Sequence, residues 1–154
     1  MKNRMNRFTF AGVGIAVLFL TMHCASASNV PEITNSPIKG AYTARELQEL
    51  LRQWNAADGE SVFIVSDRLA FFLAGNPVQF YAGMARHANE LRRWLSQLGG
   101  TTFTDYGHSC IDRRCLREQM IRAVEKNPSP APELDDVRSR ILETLRNTEI
   151  RTVD

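Results

Sequence analysis

Residues 62–98, VFIVSDRLAFFLAGNPVQFYAGMARHANELRRWLSQL, decide the fold of this chain. The stretch holds six of the thirteen aromatic residues in under a quarter of the 154 positions. Two breaks, Gly75-Asn76-Pro77 and His87-Ala88-Asn89-Glu90, divide it into successive helical segments, because glycine ends helices and a cap followed by proline begins them. Segments this apolar must fold back on one another to bury their rings. The stretch therefore predicts a compact helical core.

Helical periodicity continues on both sides of this stretch. Thr43 and Glu46 form a capping box that opens a helix over residues 44–56. Residues 60–74 contain the β-favouring run Val62-Phe63-Ile64-Val65, but no second alternating strand is present to pair with it, so we predict a helix there. A further helix begins at about Arg113 and ends at residues 127–128. The fold class predicted is all-α, a compact bundle of about five to six short helices.

The domain organisation predicted is one folded core with a separate last helix. The core covers residues 43–127, with a loop at 99–115, and a proline-rich linker follows at 128–132. Residues 133–154 form a C-terminal amphipathic helix and tail. This helix either docks on its own core, the interpretation we favour, or binds a partner helix or groove.

The two short helices within residues 60–98, with Asn-Pro at the start of the second, resemble one unit of a HEAT-type helical-repeat solenoid. The resemblance implies helical-hairpin packing in the centre of the bundle. No second copy follows at a fixed period, so the resemblance supports no family assignment.

The first 27 residues are typical of a cleaved signal peptide. Lys2, Arg4 and Arg7 precede an uncharged apolar run over 8–22, and Ala25-Ser26-Ala27 fits a signal peptidase site. The run is short for a membrane helix, so we expect no stable membrane span after cleavage, with an uncleaved anchor as the alternative. We predict secretion to a periplasmic or extracellular space. Residues 28–42 are predicted to form a flexible N-terminal arm.

The charge of the chain changes when this signal is removed. The signal holds three of the 19 basic residues and none of the 17 acidic ones, so residues 28–154 carry a formal charge of −1. Nucleic-acid binding depends on clustered positive charge, and we therefore expect no nucleic-acid partner. Fourteen of the remaining sixteen basic residues are arginine, which favours planar, bidentate contacts.

Two cysteines remain in the mature chain, and an oxidising compartment favours a disulfide between Cys110 and Cys115. Residues five apart on a regular helix point to different faces, so the bridge requires an irregular segment over 111–114. Metal binding by His108, Asp112 and the two cysteines is the rival interpretation. No established zinc spacing is present, so we expect no metal and no cofactor.

The segment closest to a catalytic motif is Asp105-Tyr106-Gly107-His108-Ser109-Cys110. Asp105, His108 and Ser109 could act as orienting acid, base and nucleophile, but the partners of a triad usually come from separate elements. A structural loop held by a disulfide is the favoured interpretation. We therefore assign no catalytic residue and expect that the protein is not an enzyme.

A possible interaction patch combines Arg86, His87, Arg92 and Arg93 with Tyr106 of the following loop. These basic and aromatic groups could bind an anion or stack on a ligand. The favoured alternative places Trp94 in the core and leaves the arginines solvated or paired with acids.

The function predicted is that of an exported small helical binding module with a protein partner, and the sequence leaves the oligomeric state open. One alternative is a small hydrolase-like enzyme that uses Asp105, His108 and Ser109. Another is an inhibitor or immunity-type protein that inserts residues 99–115 into a partner.

Overall fold

The computed structural model describes residues 42–107 and 111–153, and within these residues the chain forms a bundle of six α-helices. The prediction of an all-α fold is confirmed. The helices are α1 (Ala44–Ala56), α2 (Ser61–Gly75), α3 (Pro77–Met84), α4 (Ala88–Gln97), α5 (Arg113–Lys126) and α6 (Asp135–Asn147). One single 3₁₀ turn, at Leu98–Gly100, follows α4, and another, at Pro132–Leu134, precedes α6.

Helices α1 and α3 begin where their capping residues predict. The Thr43 hydroxyl accepts a hydrogen bond from the Glu46 amide at 3.2 Å, which opens α1. The Asn76 side-chain oxygen accepts one from the Gln79 amide at 3.2 Å at the start of α3. Each bond satisfies an amide that the first turn of a helix leaves without a partner.

A two-residue strand follows α4, in a segment that the sequence predicted to be loop throughout. β1 (Thr104–Asp105) pairs in parallel with β2 (Arg151–Thr152) near the end of the chain. The Arg151 amide donates to the Phe103 carbonyl at 2.9 Å, and the Val153 amide donates to the Asp105 carbonyl at 2.9 Å. Strands this short show no alternation in the sequence. The pairing holds the C-terminal tail against the turn that follows α4.

Most of the rings of residues 62–98 pack into one hydrophobic core, as predicted, whereas Phe63 is only half-buried and lies outside this core. Phe72, Phe80, Tyr81 and Trp94 are completely buried, and the Phe80 and Trp94 ring centroids lie 5.3 Å apart. Burial raises the pKa of Tyr81 to about 12, although the nearby Arg138 guanidinium partly opposes this shift. The Tyr81 hydroxyl has no well-aligned hydrogen-bond partner among the described residues. The aromatic stretch therefore serves as core.

The last helix packs on this core. Val137, Ile141 and Leu145 of α6 are buried, and α6 contacts α5 and α3. Arg138 adds a hydrogen bond from its Nε to the Val124 carbonyl of α5 at 3.2 Å. Of the two possibilities for this helix, the structure shows docking on its own core.

Helix α2 lies at the centre of the bundle, where its most extensive contacts are with α5 and then with α1. The contact between α2 and α3, which are joined at Asn76, is less extensive. The all-α bundle is therefore established, whereas the likeness to a HEAT unit stays a prediction.

Several predicted features lie outside the described residues. They are the signal peptide at 1–27, most of the arm at 28–42, and His108, Ser109 and Cys110. Tyr42, the last residue of the predicted arm, is described and packs edge-on against Phe72 at 5.2 Å between ring centroids. Its carbonyl accepts a hydrogen bond from the Asn76 side chain at 3.0 Å, so Tyr42 belongs to the core. Within the described ranges, no helix is both long and apolar enough to cross a bilayer.

Candidate functional site

The residues of the predicted interaction patch lie in separate places. Arg92 and Arg93 are consecutive on α4, so their side chains leave the helix about 100° apart. They line two different clefts. Arg86 and His87 precede α4 and line neither of these clefts, and Tyr106 lies on the loop after β1. The residues of the predicted patch therefore lie on two faces of α4, in the segment before it, and on the loop after β1.

Arg93 is held in place by Trp54 of α1. Its guanidinium carbon lies 4.8 Å from the centroid of the Trp54 ring, in a cation–π arrangement. Its Nη1 also donates to the Trp54 carbonyl at 3.3 Å. The half-buried Arg93 side chain is thus fixed before any ligand arrives.

Arg93 forms one wall of a surface cleft of about 540 Å³. Clefts of this size accommodate small organic ligands or single side chains of a partner. Its walls come from the start of α2, the end of α4, the turn after α4, and the C-terminal tail. The lining residues are Gly59, Val62, Phe63, Arg93, Ser96, Gln97, Gly99, Gly100, Thr101 and Arg151.

The cleft is positively charged. Arg93 and Arg151 both line it, and no aspartate or glutamate does. Neither arginine forms an ion pair with any residue of the described ranges. Six other basic side chains of those ranges do have a carboxylate partner within 4.0 Å. The two unpaired guanidiniums therefore favour a negatively charged ligand.

An apolar patch, formed by Phe63 and Tyr106, borders this cleft. The Phe63 and Tyr106 rings meet edge-on with centroids 5.8 Å apart, and Phe63 also lines the cleft. Tyr106 is 47% exposed and is, with Ile64 and Val153, one of the large hydrophobic side chains most open to solvent in the described part of the chain. An exposed ring at the edge of a cleft adds apolar area that a ligand or partner can bury.

A buried hydrogen-bond network supports the floor of the cleft. Thr101 donates its hydroxyl proton to the Gln97 carbonyl at 2.8 Å. Ser66 Oγ therefore donates its single proton to Thr101 at 2.9 Å and accepts from the Trp94 indole at 3.1 Å, and it lies 2.7 Å from the Thr102 hydroxyl oxygen. These contacts fix the turn at residues 101–102 against α2.

Asp67 and Arg113 form an ion pair next to this network. Arg113 Nη1 lies 2.7 Å from both carboxylate oxygens of Asp67, and the two side chains are only 15% and 10% exposed. Burial raises the pKa of Asp67, and this effect outweighs the opposing attraction of Arg113 and a hydrogen bond from Thr102. Arg113 Nε is buried without a partner among the described residues. The pair joins the start of α5 to α2.

A second groove of about 520 Å³ lies between α4 and α6. Its floor is apolar, and its rim carries charges of both signs, with Arg140 already paired to Asp136 at 2.9 Å. Because its charges are mixed and partly paired, this groove favours no single ligand charge. The residues of the groove include Met84, Leu91, Arg92, Leu95, Glu133, Val137 and Glu143.

The catalytic candidates are described only in part. Asp105 Oδ1 accepts a hydrogen bond from the Gly107 amide at 2.9 Å, a local turn contact that leaves the carboxylate half-buried. His108 and Ser109 lie outside the described residues. The hydrolase alternative therefore stays a prediction, with Asp105 engaged by its own loop.

The disulfide between Cys110 and Cys115 also stays a prediction, because Cys110 lies outside the described residues. Cys115 is in the first turn of α5, and its Sγ accepts a hydrogen bond from the Gln119 side chain at 3.3 Å. Residues 111–112 precede the helix, whereas residues 113–114, which the predicted bridge required to be irregular, already belong to α5. No group of three metal-ligating side chains is present in the described ranges.

Sequence reasoning missed Phe63 and Arg151 as neighbours of Arg93. In the sequence, Phe63 and Phe71 are the two rings of residues 62–98 that fall outside the apolar helical stripes, and this misfit is the available signal for Phe63. Arg151 had no signal, since the two-residue strand that carries it is invisible in the sequence.

Comparisons of the chain with protein-family models, with curated proteins and with solved structures found no match.

Proposed function

We propose that this chain is an exported helical binding module, and that its partner is a protein which binds at the apolar patch and the adjoining arginine cleft. The observation that carries the proposal is the exposed Tyr106 ring, packed on Phe63 at the edge of a cleft that two arginines line. Export rests on the signal-peptide pattern of residues 1–27.

The chemistry of this surface defines the partner. Its apolar part requires an apolar side chain of the partner, because burial against Phe63 and Tyr106 removes exposed hydrophobic area from water. Its charged part requires a carboxylate, since Arg93 and Arg151 have no acidic residue beside them in the cleft. The partner surface proposed is thus an apolar side chain next to an acidic group.

The surface also restricts the inhibitor-type alternative. Thr101, Thr102, Phe103 and Thr104 are buried, so this part of the predicted inserting loop is not available to a partner. Tyr106 is exposed, and an inhibitor would therefore present the tip of the loop rather than all of residues 99–115.

Site-specific photo-crosslinking in the native cell envelope tests the proposal. A photoreactive amino acid at Tyr106 is expected to capture a partner, whereas the same group at Arg45, on the exposed side of α1, is not. The Tyr106 adduct should disappear when Phe63→Ser is added. Equal capture at both positions, or no adduct at Tyr106, would contradict the proposed surface.

Export has its own measurement. Mass spectrometry of the protein recovered outside the cytoplasm is expected to give a mature chain that begins at Ser28. A cytoplasmic protein with residues 1–27 intact would refute the export part of the proposal and leave the binding surface untouched.

A further inference from the structure

The arginine cleft has the composition of an oxyanion site. Arg93 and Arg151 approach it from different elements, α4 and β2, and no carboxylate lines it. Guanidinium groups bind carboxylates and phosphates through parallel N–H donors. Two arginines and no carboxylate in the lining give the cleft a positive potential, which favours a bound anion.

Arg93 is prepared for such a ligand. Stacking on Trp54 and the bond from Nη1 to the Trp54 carbonyl order the side chain in the unliganded protein. The Nε and Nη2 groups donate to no acceptor among the described residues, so one edge of the guanidinium is available for two parallel bonds. A donor that is ordered in advance loses less entropy on binding.

The hydroxyl groups of the cleft do not compete for the anion. Ser96 donates its proton to the Arg93 carbonyl at 2.8 Å, and Thr101 donates to the Gln97 carbonyl at 2.8 Å. Both protons are committed, so the negative charge of the ligand must be met by the arginines. The remaining wall is apolar, formed by Val62 and Phe63.

We propose that this cleft binds an oxyanion, a carboxylate or a phosphate, carried by a ligand that has an aromatic or aliphatic group next to it. The anion lies between Arg93 and Arg151, and the apolar group lies against Val62 and Phe63. This site shares Phe63 and the arginine cleft with the proposed protein partner, but its test measures the binding of small anions and can succeed where capture of a partner fails.

The test uses three small probes and two-dimensional NMR of the ¹⁵N-labelled chain at low salt. Phenylphosphate and phenylacetate present the two oxyanions beside a ring, and benzyl alcohol presents the ring without charge. We expect at least one anion to shift the amides of residues 96–101 and 151 and to bind at least about tenfold more tightly than benzyl alcohol. Comparison of the two anions then distinguishes a phosphate from a carboxylate ligand.

Arginine variants assign the effect to the cleft. Arg151→Gln, on the exposed tail, should weaken anion binding by about tenfold without altering the fold. Arg93→Gln should do the same, and its melting temperature shows whether the loss of the Trp54 contact has disturbed the core. Arg92→Gln on the other face of α4 is the matched control and should bind as the parent does.

Three results would overturn the proposal. One is the absence of binding by both anions. Another is equal affinity for benzyl alcohol, which would mean that the ring alone is recognised. The third is an equal loss of affinity in Arg92→Gln and Arg151→Gln, which would indicate a general charge effect rather than a site.

Discussion

Gly75 permits a contact that any other residue would block. A β-carbon at this position would overlap three atoms of the Tyr42 ring, which packs across the end of α2. Gly75→Ala should therefore lower the free energy of unfolding by about 1–2 kcal/mol, since overpacking costs more than the roughly 1 kcal/mol that alanine gains in a helix. Denaturant unfolding of parent and variant measures the difference.

The Tyr42 ring supplies the control for this prediction. In a Tyr42→Ala background the obstacle is absent, so Gly75→Ala should become neutral or stabilising there. Gly100→Ala adds a β-carbon that meets no atom within 4 Å and should have little effect. If Gly75→Ala were equally destabilising in both backgrounds, the steric explanation would be wrong.

Ionisation of Asp67 should make the folded protein less stable, because its pKa is raised rather than lowered on folding. Burial raises its pKa above the ordinary value of 3.8 despite the neighbouring Arg113. The folded state then holds the proton more tightly than the unfolded chain. The contribution of Asp67 to stability is therefore fully present below pH 3.8 and is lost as the pH rises through the raised pKa.

Comparison with Asp67→Asn isolates this contribution, because the other titrating groups are common to both proteins. We expect the parent to lose unfolding free energy relative to the variant as the pH rises from about 3 to 7. Carbon-13 NMR of the Asp67 carboxyl should give the same direction. A gain by the parent over this range would mean that attraction to Arg113 outweighs desolvation, which is the opposite conclusion.

At the scale of the elements, Asn76 organises the junction between α2 and α3. Its side-chain oxygen caps α3 through the Gln79 amide, and its side-chain nitrogen donates to the Tyr42 carbonyl. Asn76→Ala removes both bonds and should cost about 2 kcal/mol, more than Thr43→Ala, which removes only the cap of α1.

The Asn76→Asp variant separates the two roles. An aspartate keeps the capping oxygen and loses the donor to Tyr42, so its stability should lie between those of the parent and Asn76→Ala. Thermal or denaturant unfolding of the three proteins gives the order. An aspartate variant as unstable as the alanine variant would show that the cap contributes little.

The helices could be predicted because their signals are local. Thr43, the Asn76-Pro77 pair and the start of α5 at Arg113 each combine a cap or proline with an apolar period that begins within a few residues. The strands β1 and β2 were not predicted, because they have no such local signal. Their register joins Thr104 to Arg151, and two residues are too few for a pattern that would predict a strand.

The candidate site was only partly predictable for a related reason. Arg93 was identified from sequence and was grouped with Arg92 in one patch. Adjacent residues on a helix point in different directions, however, and in the structure the two arginines line different clefts. Its actual neighbours, Phe63 and Arg151, lie 30 and 58 positions away in the sequence. Contacts over such separations depend on the packing of the whole bundle.

For the molecule as a whole, the C-terminal residues are attached to the rest of the fold by a helix, α6, and by a strand, β2. Ile141 and Leu145 of α6 are completely buried, and β2 holds the tail against β1. Removal of α6 would expose the apolar side chains of α5 that it covers, including Met120 and Val124. The loss of several buried side chains, at about 2–5 kcal/mol each, exceeds the stability of a small domain.

Two truncated chains test whether α6 is part of one cooperative unit. A chain that ends at residue 132 lacks α6 and should lose cooperative unfolding, whereas one that ends at Asn147 keeps α6 and should still unfold in a single transition. The shorter deletion removes only the tail with Arg151, so it should fold but bind phenylphosphate or phenylacetate more weakly than the full chain. Circular dichroism with temperature measures both transitions. A cooperative transition in the chain that lacks α6 would show instead that α1–α5 form an independent domain and that α6 covers it as a separable element.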